Sequence, residues 1–254
     1  MHRRDALRAV TALSLGAAAG CDAARPSAVP ATASSTAERS PNTHPTPTTS
    51  SAGPILPDEV RHGPRDRPQV ALTFHGQGDA RIVTALLDEL KRGGARVTVL
   101  AVGTWLAANA DLGRRLLADG HELGNHTQHH ADIKTMKPQL AYAEISACAE
   151  AVRAVAGSIG RWFRPSQTQY ATPTIKSAAR RAGYPTCLSY DVDPRDFTDP
   201  GPSAIVSATL AAARPGSIVS LHCGHEGTVA AIAPILTGLR ARNLRPVTAS
   251  DLFA

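Results

Sequence analysis

His121, His126, His129 and His130 fall within ten residues of one another. Neutral imidazole nitrogen is a good ligand for a borderline divalent ion such as zinc, so this density raises metal chemistry. Should the chain after Asn125 turn helically, positions i and i+4 project to the same side. His126 and His130 then face one ion, while His129 points away. A polar loop whose histidines bond water or backbone is the alternative for such a pair on its own. Further chemistry-bearing residues stand at His75, at Asp193 and Asp196, and at His222. Like the histidine cluster, each follows a segment that reads as a strand.

The elements that must position these residues follow from apolar patterning. Val70-Ala71-Leu72-Thr73-Phe74, Val97-Thr98-Val99-Leu100-Ala101-Val102 and Ser217-Ile218-Val219-Ser220-Leu221 are short, nearly continuous apolar runs, as expected of parallel strands covered on both faces. Ile82, Val83, Leu86, Leu87 and Leu90 mark one helical stripe, stopped by Gly93-Gly94, and Val229, Ile232, Ile235, Leu236 and Leu239 mark another. Helices are also expected over 106–118, 139–155, 174–182 and 203–213, with strands near His121, Trp162, Thr186 and Arg245. This alternation predicts a parallel α/β sheet, open or closed into a barrel. A dinucleotide-binding sheet is excluded, because Arg81 stands at the third glycine position after Gly76-Gln77-Gly78 and no acidic residue ends the second strand. Convergence of strand C-termini on one mouth is how a barrel assembles a site.

The 254 residues carry a net charge of +6 with 43% hydrophobic and 4% aromatic content, so an aliphatic core can form. The charges are dispersed, and no basic run interleaves with aromatics as a nucleic-acid surface would, so no nucleic-acid partner is expected. Residues 1–21 read as an export signal: Arg3 and Arg4 precede a charge-free apolar run, and Ala18-Ala19-Gly20-Cys21 resembles a bacterial lipobox. Lipidation of Cys21 would anchor an exported protein to the outer face of the membrane; simple secretion is the alternative. Residues 22–55, mostly Ala, Ser, Thr and Pro, read as a disordered tether ahead of one domain over 68–254. Cys148, Cys187 and Cys223 match no zinc spacing and are expected as buried small hydrophobes. The protein is expected to be a monomer.

From Pro68 onward the chain resembles the polysaccharide deacetylases with a NodB-like domain, metal-dependent carbohydrate esterases that remove acetyl groups from chitin, peptidoglycan or xylan. His126-Thr127-Gln128-His129-His130 is similar to the family's H-[ST]-x-x-H metal motif. Asp193-Pro194-Arg195-Asp196-Phe197 is similar to its D-x-x-D-W motif with Phe for Trp, and Ser220-Leu221-His222 to the segment bearing its general acid. Phe163-Arg164-Pro165 begins the family's R-x-x-Y-G motif, from which Ser166-Gln167-Thr168 departs. The resemblance implies a distorted, incomplete (β/α) barrel, a divalent ion on His126 and His130, and His222 as acid with Asp196 orienting it. Zinc is the expected ion, with cobalt and nickel as the other imidazole-compatible choices.

One motif differs in kind. Where the family carries T-F-D-D-G, supplying a base and a metal-binding carboxylate, this chain has Thr73-Phe74-His75-Gly76-Gln77. His75 is expected either as a third metal ligand or as a neutral residue of an inert cleft. Asp79 is a candidate substitute base, although its place just before a helical stripe suits an N-cap better. Arg164, which in the family pairs with the base carboxylate, would lose that partner and lower the pKa of His75. The expected function is metal-dependent removal of acetyl groups, from nitrogen or oxygen, on an acetylated cell-wall or chitin-like polysaccharide. The alternative is an inactive glycan-binding lipoprotein of the same fold.

Overall fold

The computed structural model describes residues 55–254. The expected signal, the lipidation at Cys21 and all but the last residue of the expected tether lie outside the described residues. The elements run β1 (Glu59–Val60), β2 (Gln69–Gly76), α1 (Ala80–Arg92), β3 (Thr98–Ala101), α2 (Gly103–Ala108), α3 (Ala110–Ala118) and β4 (Glu122–Asn125). They continue with α4 (Pro138–Ala156), α5 (Pro173–Arg181), β5 (Cys187–Leu188), α6 (Pro202–Ala212), β6 (Ile218–His222), α7 (Glu226–Ala241), β7 (Arg245–Val247) and α8 (Ala249–Leu252). Strands β4, β3, β2 and β6 are neighbours in that order, β7 pairs with the start of β2, and every strand pair is parallel. Single-residue bridges continue the wall: Asn125 to Phe163, Phe163 to Cys187 in β5, and Val192 to Val219 in β6. The result is a distorted, incomplete (β/α) barrel, as the family resemblance implies.

Side-chain alternation along these strands decides which residues enter the barrel. Val70, Leu72 and Phe74 of β2 and Val219 and Leu221 of β6 pack outward with α1 and α7, in a core that includes Leu86, Leu90, Ile232 and Leu236. Ala71 and Ile218 belong to a separate interior cluster with Leu100, Trp162 and Leu188. Continuing at every second residue, the inward column is Ala71, Thr73 and His75 on β2 and Ile218, Ser220 and His222 on β6. The parallel register sets these residues side by side, Ala71 to Ile218, Thr73 to Ser220 and His75 to His222. An apolar floor thus grades into a polar mouth at the strand C-termini.

The structure departs from the sequence reading in four places. The helix expected over 106–118 is two helices, because Asn109 adopts φ −129° and ψ 42° and serves as C-cap of α2 and N-cap of α3. The strand expected near Trp162 is only the bridge at Phe163. The folded unit begins before Pro68: Val60 is buried, and β1 pairs with β5. This contact depends on residues more than a hundred positions away, so local patterning does not reveal it. Finally, residues 126–130 are not helical. Thr127 and His130 have φ of 70° and 56°, in the left-handed region that an α-helix does not use. The three cysteines are free and buried, as expected.

Candidate metal centre and active site

A left-handed turn, rather than a helix, brings His126 and His130 together, with ring centroids 4.9 Å apart. Asn125, the last residue of β4, builds it: its Oδ1 accepts the Thr127 N–H at 2.9 Å, and its Nδ2 donates to the Ile145 carbonyl on α4. Thr127 Oγ1 donates to Ser166 Oγ, and Ser166 Oγ to the Ala131 carbonyl, which pins the far side of the turn. His129 points away from the pair, with its backbone N–H and Nδ1 both bonded to Glu144 of α4.

His75 completes the group. Its ring centroid lies 4.3 Å from those of both His126 and His222, and the ligand atoms of His75, His126 and His130 all fall within 4.8 Å of one another. Burial, reinforced by the neighbouring imidazoles, holds His75 and His126 well below the ordinary histidine pKa, and burial also lowers His130. All three rings are therefore neutral and carry a lone pair. For His126 the tautomer follows from its partner: Nδ1 lies 2.9 Å from the Arg164 carbonyl, which only accepts, so Nδ1 carries the proton. Its Nε2 is buried without a partner, a costly arrangement that a metal ion would relieve. Three neutral imidazoles and one buried lone pair without a partner fit a zinc-type ion.

The second half of the site is a carboxylate–histidine pair. The Asp196 side chain is fully buried; its Oδ1 lies 2.7 Å from His222 Nδ1, and its Oδ2 accepts the His222 backbone N–H and Thr228 Oγ1. Nδ1–H is thereby the donor to Asp196, which leaves Nε2 as the nitrogen that exchanges protons. His75, His130, Tyr190, Asp193, Phe197 and His222 line a cleft of about 310 Å³. Phe197 sits with its centroid 5.1 Å from that of His222. Around this cleft the backbone is held in unfavourable conformations: Gln167, Arg195 and Asp199 join Thr127 and His130 at positive φ. Such non-glycine outliers persist where surrounding structure over-determines them, and they concentrate at functional sites.

Arg164 is fully buried. It donates from Nε to the Leu188 carbonyl and from Nη2 to Thr73 Oγ1, while its Nη1 has no partner. Burial lowers its pKa to about 10, against the opposing pull of Tyr190 and Asp193, and its charge contributes to depressing His75. No carboxylate at position 75 pairs with it. Position 76 cannot take one either: a Cβ there would come within 2.7 Å of Val99 Cγ1 and 2.9 Å of the Ala101 Cα, because residue 76 faces away from the barrel interior. The loop beyond is equally tight, since a Cβ on Gly78 would lie 2.3 Å from the Gly224 Cα.

Asp79 is exposed and caps α1, accepting the Arg81 N–H at 2.8 Å. It does not line the cleft. Asp79→Ala should lower stability by about 1 kcal/mol, the usual worth of an N-cap. Urea denaturation measures this, and an unchanged midpoint would remove the capping role. Sequence reasoning named Asp193 as chemistry-bearing but gave it no role of its own. Its position immediately before Pro194-Arg195 gives no sign of which way it faces; the bridge at Val192 does.

Residues 62–187 match the family model described as polysaccharide deacetylase. A peptidoglycan-N-acetylglucosamine deacetylase of Bacillus cereus is 32% identical over 200 residues, covering 75% of this chain and 90% of that protein. A chitooligosaccharide deacetylase of a Bradyrhizobium species is 34% identical over 157 residues, covering 61% of this chain and 71% of that protein. Among solved structures, a family 4 carbohydrate esterase from Streptomyces lividans in complex with acetate aligns with a TM-score of 0.66 at 27% identity, over 70% of this chain and 91% of its own. A CE4 family pseudoenzyme from Bacillus anthracis aligns with a TM-score of 0.74 at 20% identity, over 79% of this chain and 70% of its own, a likeness of fold alone.

Proposed function

The chain belongs to the polysaccharide deacetylase family, and from that premise we propose that it is a metal-dependent hydrolase releasing acetate from acetylated wall or chitin-type polysaccharide. The observation that carries this reading is the buried, unpartnered Nε2 of His126, facing His75 and His130. His75 replaces the carboxylate chemistry of the usual first motif with a third imidazole. An ion on these three residues would supply Lewis acidity toward the acetyl carbonyl and toward water.

The chain's own residues do the rest. His222, oriented by Asp196, delivers a proton from Nε2 to the departing nitrogen or oxygen, without which the leaving group is too basic to depart. Phe197 offers an apolar face beside His222 against which a sugar ring can lie. Arg164 donates to the Leu188 carbonyl and the Thr73 hydroxyl, and thereby ties β5 to the interior column that ends in His75.

A second reading, a glycan-binding barrel without turnover, is favoured by the absence of a carboxylate at positions 75 and 76. The two readings part on one experiment: acetate release by the purified chain, loaded with zinc, on acetylated chitooligosaccharides and on peptidoglycan. Release that stops on chelation and returns with zinc is the expected result. Binding of glycan with no acetate formed would sustain the second reading instead.

A further inference from the structure

We propose that Asp193 is the proton acceptor of the hydrolysis, the function otherwise left without a residue by the loss of both first-motif carboxylates. This inference rests on the deacetylase reading above. Val192 bridges to Val219 of β6, and the Ser220 N–H donates to the Val192 carbonyl at 2.9 Å. Val192 packs outward with the helices. By strand alternation the next residue, Asp193, turns inward, beside Ser220 in the column that carries His75 and His222. Ser220 Oγ in turn lies 3.0 Å from His75 Nε2. Asp193 accordingly lines the cleft with His75, His130 and His222.

Its own bonding leaves it free to act. Oδ1 accepts the Arg195 backbone N–H at 2.9 Å, a short-range turn closed around Pro194, while Oδ2 has no protein partner among the described residues. Other nearby carboxylates are committed elsewhere. Asp196 spends both oxygens on His222 and Thr228, Asp191 pairs with Arg65, Asp199 with His225, and Asp79 caps α1. Asp132 lies outside the cleft lining.

In the step assigned to it, Asp193 takes a proton from water as the water oxygen bonds to the acetyl carbon. The bond from that carbon to the sugar nitrogen then breaks, and the nitrogen takes its proton from His222. Acetic acid and the free amine leave, the acid giving up its carboxyl proton to solvent as acetate. Asp193 is then protonated and His222 neutral, and passage of that proton from Asp193 to His222 through solvent restores both side chains without any further reactant.

The test uses the full chain loaded with zinc and acetylated chitooligosaccharide as substrate. Asp193→Asn retains an oxygen that can accept from Arg195 N–H, so the turn survives. A fall in kcat of about 100-fold or more is expected, the range typical of a lost general base. KM, zinc stoichiometry and melting temperature should stay near those of the wild type, and Asp193→Glu should recover part of the rate. An Asn variant with wild-type kcat would overturn the proposal, as would one whose rate falls only because zinc is lost. A wild-type chain that releases no acetate overturns the deacetylase reading itself, and is told apart by the silence of the unmutated protein.

Discussion

Replacing His126 and His130 together with Ala is expected to take zinc from one ion per chain to none. His126 is wholly buried, its Nδ1–H is committed to the Arg164 carbonyl, and its Nε2 meets no protein group. His130 reaches the same point from the far side of a turn, and His75 alone cannot retain a divalent ion against water. Metal analysis after dialysis reads the stoichiometry directly. A second readout is thermal: binding to the folded state alone stabilises by about 2.7 kcal/mol at a free-ion concentration 100 times Kd, so zinc should raise the melting temperature of the wild type and not of the variant. His129→Ala serves as the matched control, because His129 bonds Glu144 and should lose no zinc. Undiminished stoichiometry in the double variant would sink the three-histidine centre.

His222→Ala is expected to lower kcat by roughly 10²–10⁴-fold while zinc remains bound, the range for losing a positioned general acid. The side chain stands over the cleft with Nδ1–H held by a carboxylate whose two oxygens are both occupied, so the ring has one orientation and one nitrogen to offer. An amide nitrogen expelled without a proton is a very poor leaving group; Phe197 has no proton to give, and burial raises the Tyr190 pKa, which makes its phenol a weaker acid than an imidazolium. Single-turnover acetate release at saturating substrate isolates this step from binding. Turnover at the wild-type rate would assign the proton to another group and leave the Asp196–His222 pair a structural one.

The sequence by itself determined the fold class and most of the site's inventory. Short continuous apolar runs such as Val70 to Phe74 suit strands covered on both faces, and the stripes of α1 and α7 follow from helical spacing, since both signals are local. The same holds for Asp79, whose place before a stripe marks it as a cap, while His222 and Asp196 were legible through their resemblance to family motifs, one of them with Phe197 in place of Trp. What the tertiary structure alone decided is which of these residues meet. The pairing of His75 with His222 is set by the register of β2 on β6, strands separated by more than a hundred residues, and a shift of one residue would turn His75 out of the barrel. Gly76 faces Val99 for the same reason, which is why the missing carboxylate has no room to return there. The His126–His130 pair survived a mistaken local expectation, because i,i+4 spacing in a left-handed turn pinned by Asn125 and Ser166 closes as effectively as a helix does. Asp193 stood out as a polar residue after a strand, but its inward direction was not legible, because it follows from one bridge, Val192 to Val219, and a single long-range bridge leaves no periodic trace in the chain.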